Sequence, residues 1–238
     1  MTDALPPLKR VMALFAHPDD PEFFAGGTLA RWSAEGKELT YVLATSGDKG
    51  TDDPDISAER LIAIREAEQR AAAACMGAQA VVFLRYPDGE LEHTLQLRRD
   101  LTRLIRQHQP DIVVTNDPQS YWFRHGSVNH PDHRAIGEAA LAAIYPSARD
   151  RHTFAELWRD EGLEPHKVRQ VYLAGTLSPN LKVNITDVFE RKIAAILEHR
   201  SQIKDPEAMI KRQRSNFDPD FGEDSPVYVE WFRVLTLR

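Results

Sequence analysis

Residues 11–16 read VMALFA, six apolar residues without a polar interruption, and they run directly into His17-Pro18-Asp19-Asp20. A short run that is apolar at every position is what a strand buried on both faces of a parallel sheet requires. Three further runs, mainly apolar, read as strands beside it: residues 39–45 (LTYVLAT), 80–85 (AVVFLR) and 111–115 (DIVVT). Helical stretches separate and follow them, at residues 26–36, 58–76, 95–108 and 131–144, with Ser57 placed to cap the second and Gly36 and Gly77 placed to stop the first two. Parallel strands need crossovers, and crossovers cover both faces of the sheet. The expected fold is therefore α/β, a three-layer sandwich around a mainly parallel, Rossmann-like sheet. After Tyr145 the regularity fades, but a strand at 171–175, helices near 188–201 and 206–214 and a last strand at 227–237 complete the same unit, so residues 1–238 read as one domain.

Composition narrows the class of function. A net charge of −6 argues against a nucleic-acid backbone as the main partner. The apolar runs are far short of the ~20 residues that a membrane helix needs. The first twenty residues, MTDALPPLKRVMALFAHPDD, lack the pattern of a signal peptide. One cysteine excludes an internal disulfide and a cysteine-based zinc cluster, and Cys75, at the end of an apolar helix, reads as packing. The expectation is a cytoplasmic enzyme with a small-molecule substrate, no nucleic acid and no membrane.

In an open parallel sheet, ligands bind beyond the carboxyl ends of the strands. That edge holds His17-Pro-Asp19-Asp20, then Ser46-Gly-Asp-Lys-Gly50, Tyr86-Pro-Asp88-Gly89, and finally Asn129-His130-Pro-Asp132-His133. Pro18 forces a turn, so residues three apart, His17 and Asp20, face one point. Pro131 opens a helix on which His130 and His133 share a face. His17, Asp20 and His133 make a set of two imidazoles and one carboxylate with open positions, which suits a catalytic Zn2+, and equally Fe2+ or Co2+. The remaining polar groups exceed what a metal needs. Asp19 is placed to act as a base, His130 as an acid or oxyanion partner, and Asp132 to hold the second nitrogen of His130. Tyr121-Trp122-Phe123, in the loop before the second motif, suit stacking on a sugar face, although an oligomer contact or core insertion explains them equally well.

The segments AHPDDPEFFAGGTLA and NHPDHRAIGEAAL resemble the two signature motifs of the PIG-L/LmbE-like deacetylases, zinc-dependent enzymes that remove acetyl groups from N-acetylglucosaminyl compounds. The resemblance runs from residue 11 to about 144, and more loosely to Glu230 and Phe232. It implies an amide hydrolase that releases acetate and a free amine from an N-acetylated sugar. It also implies the same ligand set, with Asp19 as general base and His130, supported by Asp132, stabilising the tetrahedral intermediate. Two further roles come from the resemblance alone: Arg65, in an Arg-x-x-Glu helix with Glu68, as a sugar contact, and Asp88 as a pocket residue; an Arg65–Glu68 ion pair on a solvated helix face and a turn aspartate explain them equally well. Relatives in the family are often homo-oligomers, which leaves self-association open. Two rivals use the same residues: a non-haem iron(II) oxygenase, disfavoured by the βα alternation, and a non-catalytic metabolite-binding relative, disfavoured by Asp19 and His130.

Overall fold

The computed structural model describes residues 7–124, 126–222 and 224–237; the reading of the extreme N-terminus rests partly on residues 1–6, outside that set. The strands are β1 (Arg10–Phe15), β2 (Glu38–Thr45), β3 (Ala80–Tyr86), β4 (Ile112–Asn116), β5 (Gln170–Ala174), β6 (Leu181–Asn184) and β7 (Val229–Thr236). They form one sheet in the order β3-β2-β1-β4-β5-β7-β6. The first five run parallel, and β7 pairs antiparallel with both β5 and β6.

Helices α1 (Asp20–Ala34), α2 (Ala58–Met76) and α6 (Phe189–Ile196) pack together on one face, and α3 (Leu95–His108) and α4 (Pro131–Ala142) on the other. Two short helices, α5 (Ala155–Arg159) and α7 (Pro206–Arg214), complete the set. The period-2 geometry of β1 explains its unbroken apolar run. Met12 and Leu14 join the core beneath α3 and α4, while Val11, Ala13 and Phe15 join the one beneath α1 and α2. Because β1 lies between β2 and β4, with their crossovers on opposite faces, a crevice opens where the carboxyl ends of β1 and β4 meet.

Several local expectations need correction. The first helix begins at Asp20 rather than Gly26, because Pro21 fits its first turn and Asp20 and Glu22 put negative charge at its positive end. Gly26 and Gly27 admit a close approach from α6 and the segment after β6: a Cβ on Gly27 would lie 2.5 Å from Ile185. The stretch read as a helix over 188–201 leaves helical geometry after Ile196, and His199 turns into the interior. The helix expected to reach residue 144 continues past Ala142 as a wider turn, Ala143–Ser147, that contains Pro146. Strand β6 was hidden because its four residues, LKVN, alternate half-buried and exposed and offer no apolar run.

A buried ion pair ties the C-terminal strand to α1. Lys192 Nζ lies 2.7 Å from Glu230 Oε1, with side-chain exposures of 7% and 4%. The two Glu230 oxygens accept the N–H groups of Gly27 and Thr28 in the middle of α1, and Lys192 also donates to the Phe23 carbonyl. Glu230→Ala strands a buried ammonium, so urea unfolding is expected to show a loss of about 3–5 kcal/mol. An unchanged midpoint would mean that the pair contributes nothing net.

Candidate active site

The His17-Pro-Asp-Asp turn is wound by its own groups. Asp20 Oδ2 accepts the His17 backbone N–H at 2.9 Å, and the Asp19 carbonyl accepts the N–H groups of Glu22 and Phe23 as α1 begins. This puts the Asp20 carboxylate between two rings, with Oδ2 3.4 Å from His17 Nδ1 and Oδ1 3.0 Å from His133 Nε2. Ligand-type atoms of His17, Asp20 and His133 all lie within 4.8 Å of one another.

The outer nitrogens of both rings are committed. His133 Nδ1 is 2.8 Å from Asn129 Oδ1, and Asn129 Nδ2 donates to the Ser120 carbonyl, which fixes the amide oxygen as the acceptor. His133 therefore carries its proton on Nδ1 and turns a lone pair on Nε2 toward Asp20. His17 Nε2 lies 3.1 Å from Asp88 Oδ1 and 3.3 Å from Asp132 Oδ2, so its proton goes to a carboxylate and Nδ1 is left toward Asp20. With both rings neutral, two ring lone pairs and one carboxylate converge on one point. In that state the group could hold a cation, with each imidazole backed by an oxygen as metal-binding histidines usually are. Burial disfavours a charged His17, yet hydrogen bonds to Asp132, Asp20 and Asp88 outweigh it and raise its pKa well above the ordinary value. Burial likewise opposes ionisation of Asp20, but His133 and His17 hold its pKa far below the usual range.

Asp19 belongs to the same turn and has a different environment. Its backbone sits at φ 93°, ψ −30°, a conformation that costs energy for a residue with a Cβ. Burial pushes its carboxyl up to about 6, against the lowering effect of Arg65. His130 is the residue before α4, and its Nδ1 accepts the Asp132 backbone N–H at 3.2 Å. In the neutral ring the proton then sits on Nε2. The ring stands edge-on to His17 at 4.6 Å between centroids.

Two expected contacts are not made. The Asp132 carboxylate does not hold His130, whose Nδ1 is 3.9 Å away; it accepts the N–H groups of Gly89 and Leu91 and backs His17. The helix start uses the backbone N–H of Asp132 to cap onto His130, which turns the carboxylate the other way. Arg65 is 4% exposed, and its guanidinium donates to the carbonyls of Pro18 and Gly47 and reaches Asp19 Oδ2 at 3.4 Å. It braces the turn from beneath. A Cβ on Gly47 (φ +67°) would come within 2.0 Å of that guanidinium, so this loop needs its glycine. Glu68 does not pair with Arg65; it accepts two hydrogen bonds from Ser201.

Asp88, 6% exposed, lies against the site, and its carboxyl is lowered to about 2: burial opposes ionisation, but the bond to His17 prevails. Tyr121 and Trp122 are both 57% exposed on a small hairpin in which Trp122 bridges to Val128 and Tyr121 lies under the Arg134 guanidinium at 4.0 Å. Phe123 reaches inward instead: its ring is 6.1 Å from that of Phe24, which meets His133 edge-on at 5.3 Å. Asn129, Gln69, Glu22 and His199 are site-supporting residues missed by the sequence reading. Asn129 could have been found, since an amide one helical turn before a histidine ligand is a natural acceptor for its outer nitrogen.

Among the described residues no helix is long and apolar enough to cross a membrane. Comparison with known proteins agrees with the geometry. Residues 12–144 match the family described as PIG-L: GlcNAc-PI de-N-acetylase. The diacetylchitobiose deacetylase of Thermococcus kodakarensis is 32% identical over 82% of this chain and 70% of its own length. A probable N-acetyl-alpha-D-glucosaminyl L-malate deacetylase 2 of Bacillus anthracis is 28% identical over 86% of each chain. The solved N,N'-diacetylchitobiose deacetylase of Pyrococcus horikoshii superposes with a TM-score of 0.85 and 35% identity, over 96% of this chain and 84% of that one. With the paired motifs on one sheet edge and these matches along its length, the chain belongs to the PIG-L deacetylase family.

Proposed function

We propose that this single-domain protein is a zinc-dependent N-deacetylase acting on a small molecule with a terminal 2-acetamido-2-deoxyglucose, the unit shared by the substrates for which its relatives are named. His17, Asp20 and His133 would hold the ion, and Fe2+ or Co2+ would suit the same donors. When bound, the ion supplies Lewis acidity, easing deprotonation of water and polarising the acyl oxygen. Asp19 takes a proton from the water that attacks the acetamide carbonyl. The His130 Nε2–H donates to the oxygen that becomes negative. As the C–N bond breaks, Asp19 returns the proton to nitrogen, and acetate and a free amine leave. Asp132 and Asp88 orient His17, and Asn129 orients His133.

The observation that carries this reading is the surplus chemistry. An ionisable carboxyl poised near neutrality and an exposed-edge imidazole lie beside a ligand set that already has its three members. An oxygenase or an idle binding protein with these ligands would need neither. Acetate release from a panel of N-acetylglucosaminides tests it; no release from any member with metal-loaded protein would defeat it. The exposed aromatics are read as a sugar platform, so Trp122→Ala is expected to raise KM severalfold with kcat and melting temperature little changed. A lower melting temperature with unchanged KM would make the hairpin structural.

A further inference from the structure

Beneath Asp19 lies a chain of fully buried polar groups that the chemistry above does not use. Gln69 Oε1 accepts the Asp19 backbone N–H at 2.9 Å. The Gln69 amide nitrogen donates to both oxygens of Glu22, at 3.1 and 3.2 Å. Glu22 Oε2 lies 3.1 Å from His199 Nε2. Glu22, Gln69 and His199 are each 0% exposed, and they come from the first turn of α1, the middle of α2 and the segment after α6. Such a charged, water-excluded chain is costly unless every bond is made. Yet His199 Nδ1 has no partner among the described residues, so the ring is there for what Nε2 does.

The direction of each bond is determined. Glu22 accepts on both oxygens, so Gln69 must present its amide nitrogen to Glu22 and its carbonyl to Asp19. Gln69 is one helical turn from Arg65, which holds the Asp19 side chain and the Pro18 carbonyl. Helix α2 therefore grips Asp19 twice, by its backbone through Gln69 and by its carboxylate through Arg65. A residue at φ 93° keeps that conformation only if its surroundings impose it.

We infer that Glu22, Gln69 and His199 form a positioning relay that holds the Asp19 backbone in its strained conformation and so aims its carboxylate at the reacting water. The inference rests on Asp19 being the general base. None of the three is a catalytic residue; they act through Asp19.

The relay has a polarity, and that makes it testable. Gln69→Leu removes the acceptor for Asp19 and is expected to lower kcat by about 10–100-fold, with KM within twofold and bound metal unchanged. Gln69→Glu sets two carboxylates face to face and should be at least as harmful. The double swap Glu22→Gln with Gln69→Glu reverses the central bond and remakes all the others: residue 69 still accepts from Asp19, and residue 22 still accepts from His199. It is expected to recover most of the kcat lost in Gln69→Glu. In an Asp19→Asn background, Gln69→Leu should cost less than twofold more, because there is no base left to aim. A wild-type kcat in Gln69→Leu, a loss that persists in the Asp19→Asn background, or a folded double swap with no recovery would each overturn the relay. If Gln69→Leu fails to fold, the two Gln69→Glu proteins decide the matter. If Asp19→Asn itself turns over normally, the assignment of the base fails first, and that result is distinct from the others.

Discussion

Asp19→Asn protein is expected to purify with its metal and to turn over about 10²–10⁴-fold more slowly than the parent, the usual worth of a positioned general base. The amide keeps the size of the side chain, and the Asp19 N–H stays bonded to Gln69 because that bond is made by the backbone. His17, Asp20 and His133 are untouched. The parent should also show a pH dependence that the variant lacks. A base works only when deprotonated, so kcat falls as pH drops through the pKa of Asp19. Burial lifts that carboxyl to about 6 before any cation is bound beside it. A bound ion favours the anion, so the acid limb should have its midpoint at or below 6, and it should vanish in Asp19→Asn. His130→Ala should also keep the metal and lose turnover, but it should retain the acid limb, since His130 is placed to donate from Nε2 and not to accept. Metal analysis and kcat measured side by side settle the division. An Asp19→Asn protein that loses its ion, or that keeps near-normal turnover, would end the distinction between Asp19 and Asp20.

The different placement of Asp19 and Asp20 was legible in the sequence only because of a proline. Pro18 breaks the strand after His17, and the turn that follows sends Asp19 and Asp20 in different directions. The parallel core was legible for a similar reason: strands buried on both faces leave unbroken apolar runs, and Ser57 and Gly77 mark helix ends by local chemistry that needs no partner. What stayed hidden depends on contacts distant in sequence. Nothing local shows that Arg65 lies beneath Pro18 and Gly47, or that Asp132 turns from His130 to Gly89 and His17. Glu22 reads as an ordinary acid in the segment before the first helix, and His199 as one more residue on a helix face. They meet only because α6 ends early and packs against α1 and α2. Residue types pointed to the candidate ligands, while the support around them required the fold.

The largest loss should come from the ligands, and it should be graded by their surroundings. His133→Ala leaves two protein donors, and a three-donor site rarely holds its ion with two. The purified protein is expected to contain less than about a tenth of an equivalent of divalent metal and to release acetate at no more than about 10⁻³ of the parent rate. His17→Ala should match it, and it carries a second cost, since Asp88 and Asp132 lose the N–H that they share. Asn129→Leu is the informative intermediate. It leaves every ligand in place but removes the oxygen that keeps the His133 proton on Nδ1, so Nε2 is no longer held as the lone pair facing Asp20. Loss of such an outer partner typically weakens metal binding about 10–100-fold, so a chelator competition should place Asn129→Leu between the parent and His133→Ala. Excess zinc should then restore Asn129→Leu and leave His133→Ala inactive, because the first has a misaligned donor and the second has none. Full metal content in His133→Ala would move the ion away from Asp20. The second acceptor group of this edge, His17 with His130 and Asp132, would then be the place to look for it.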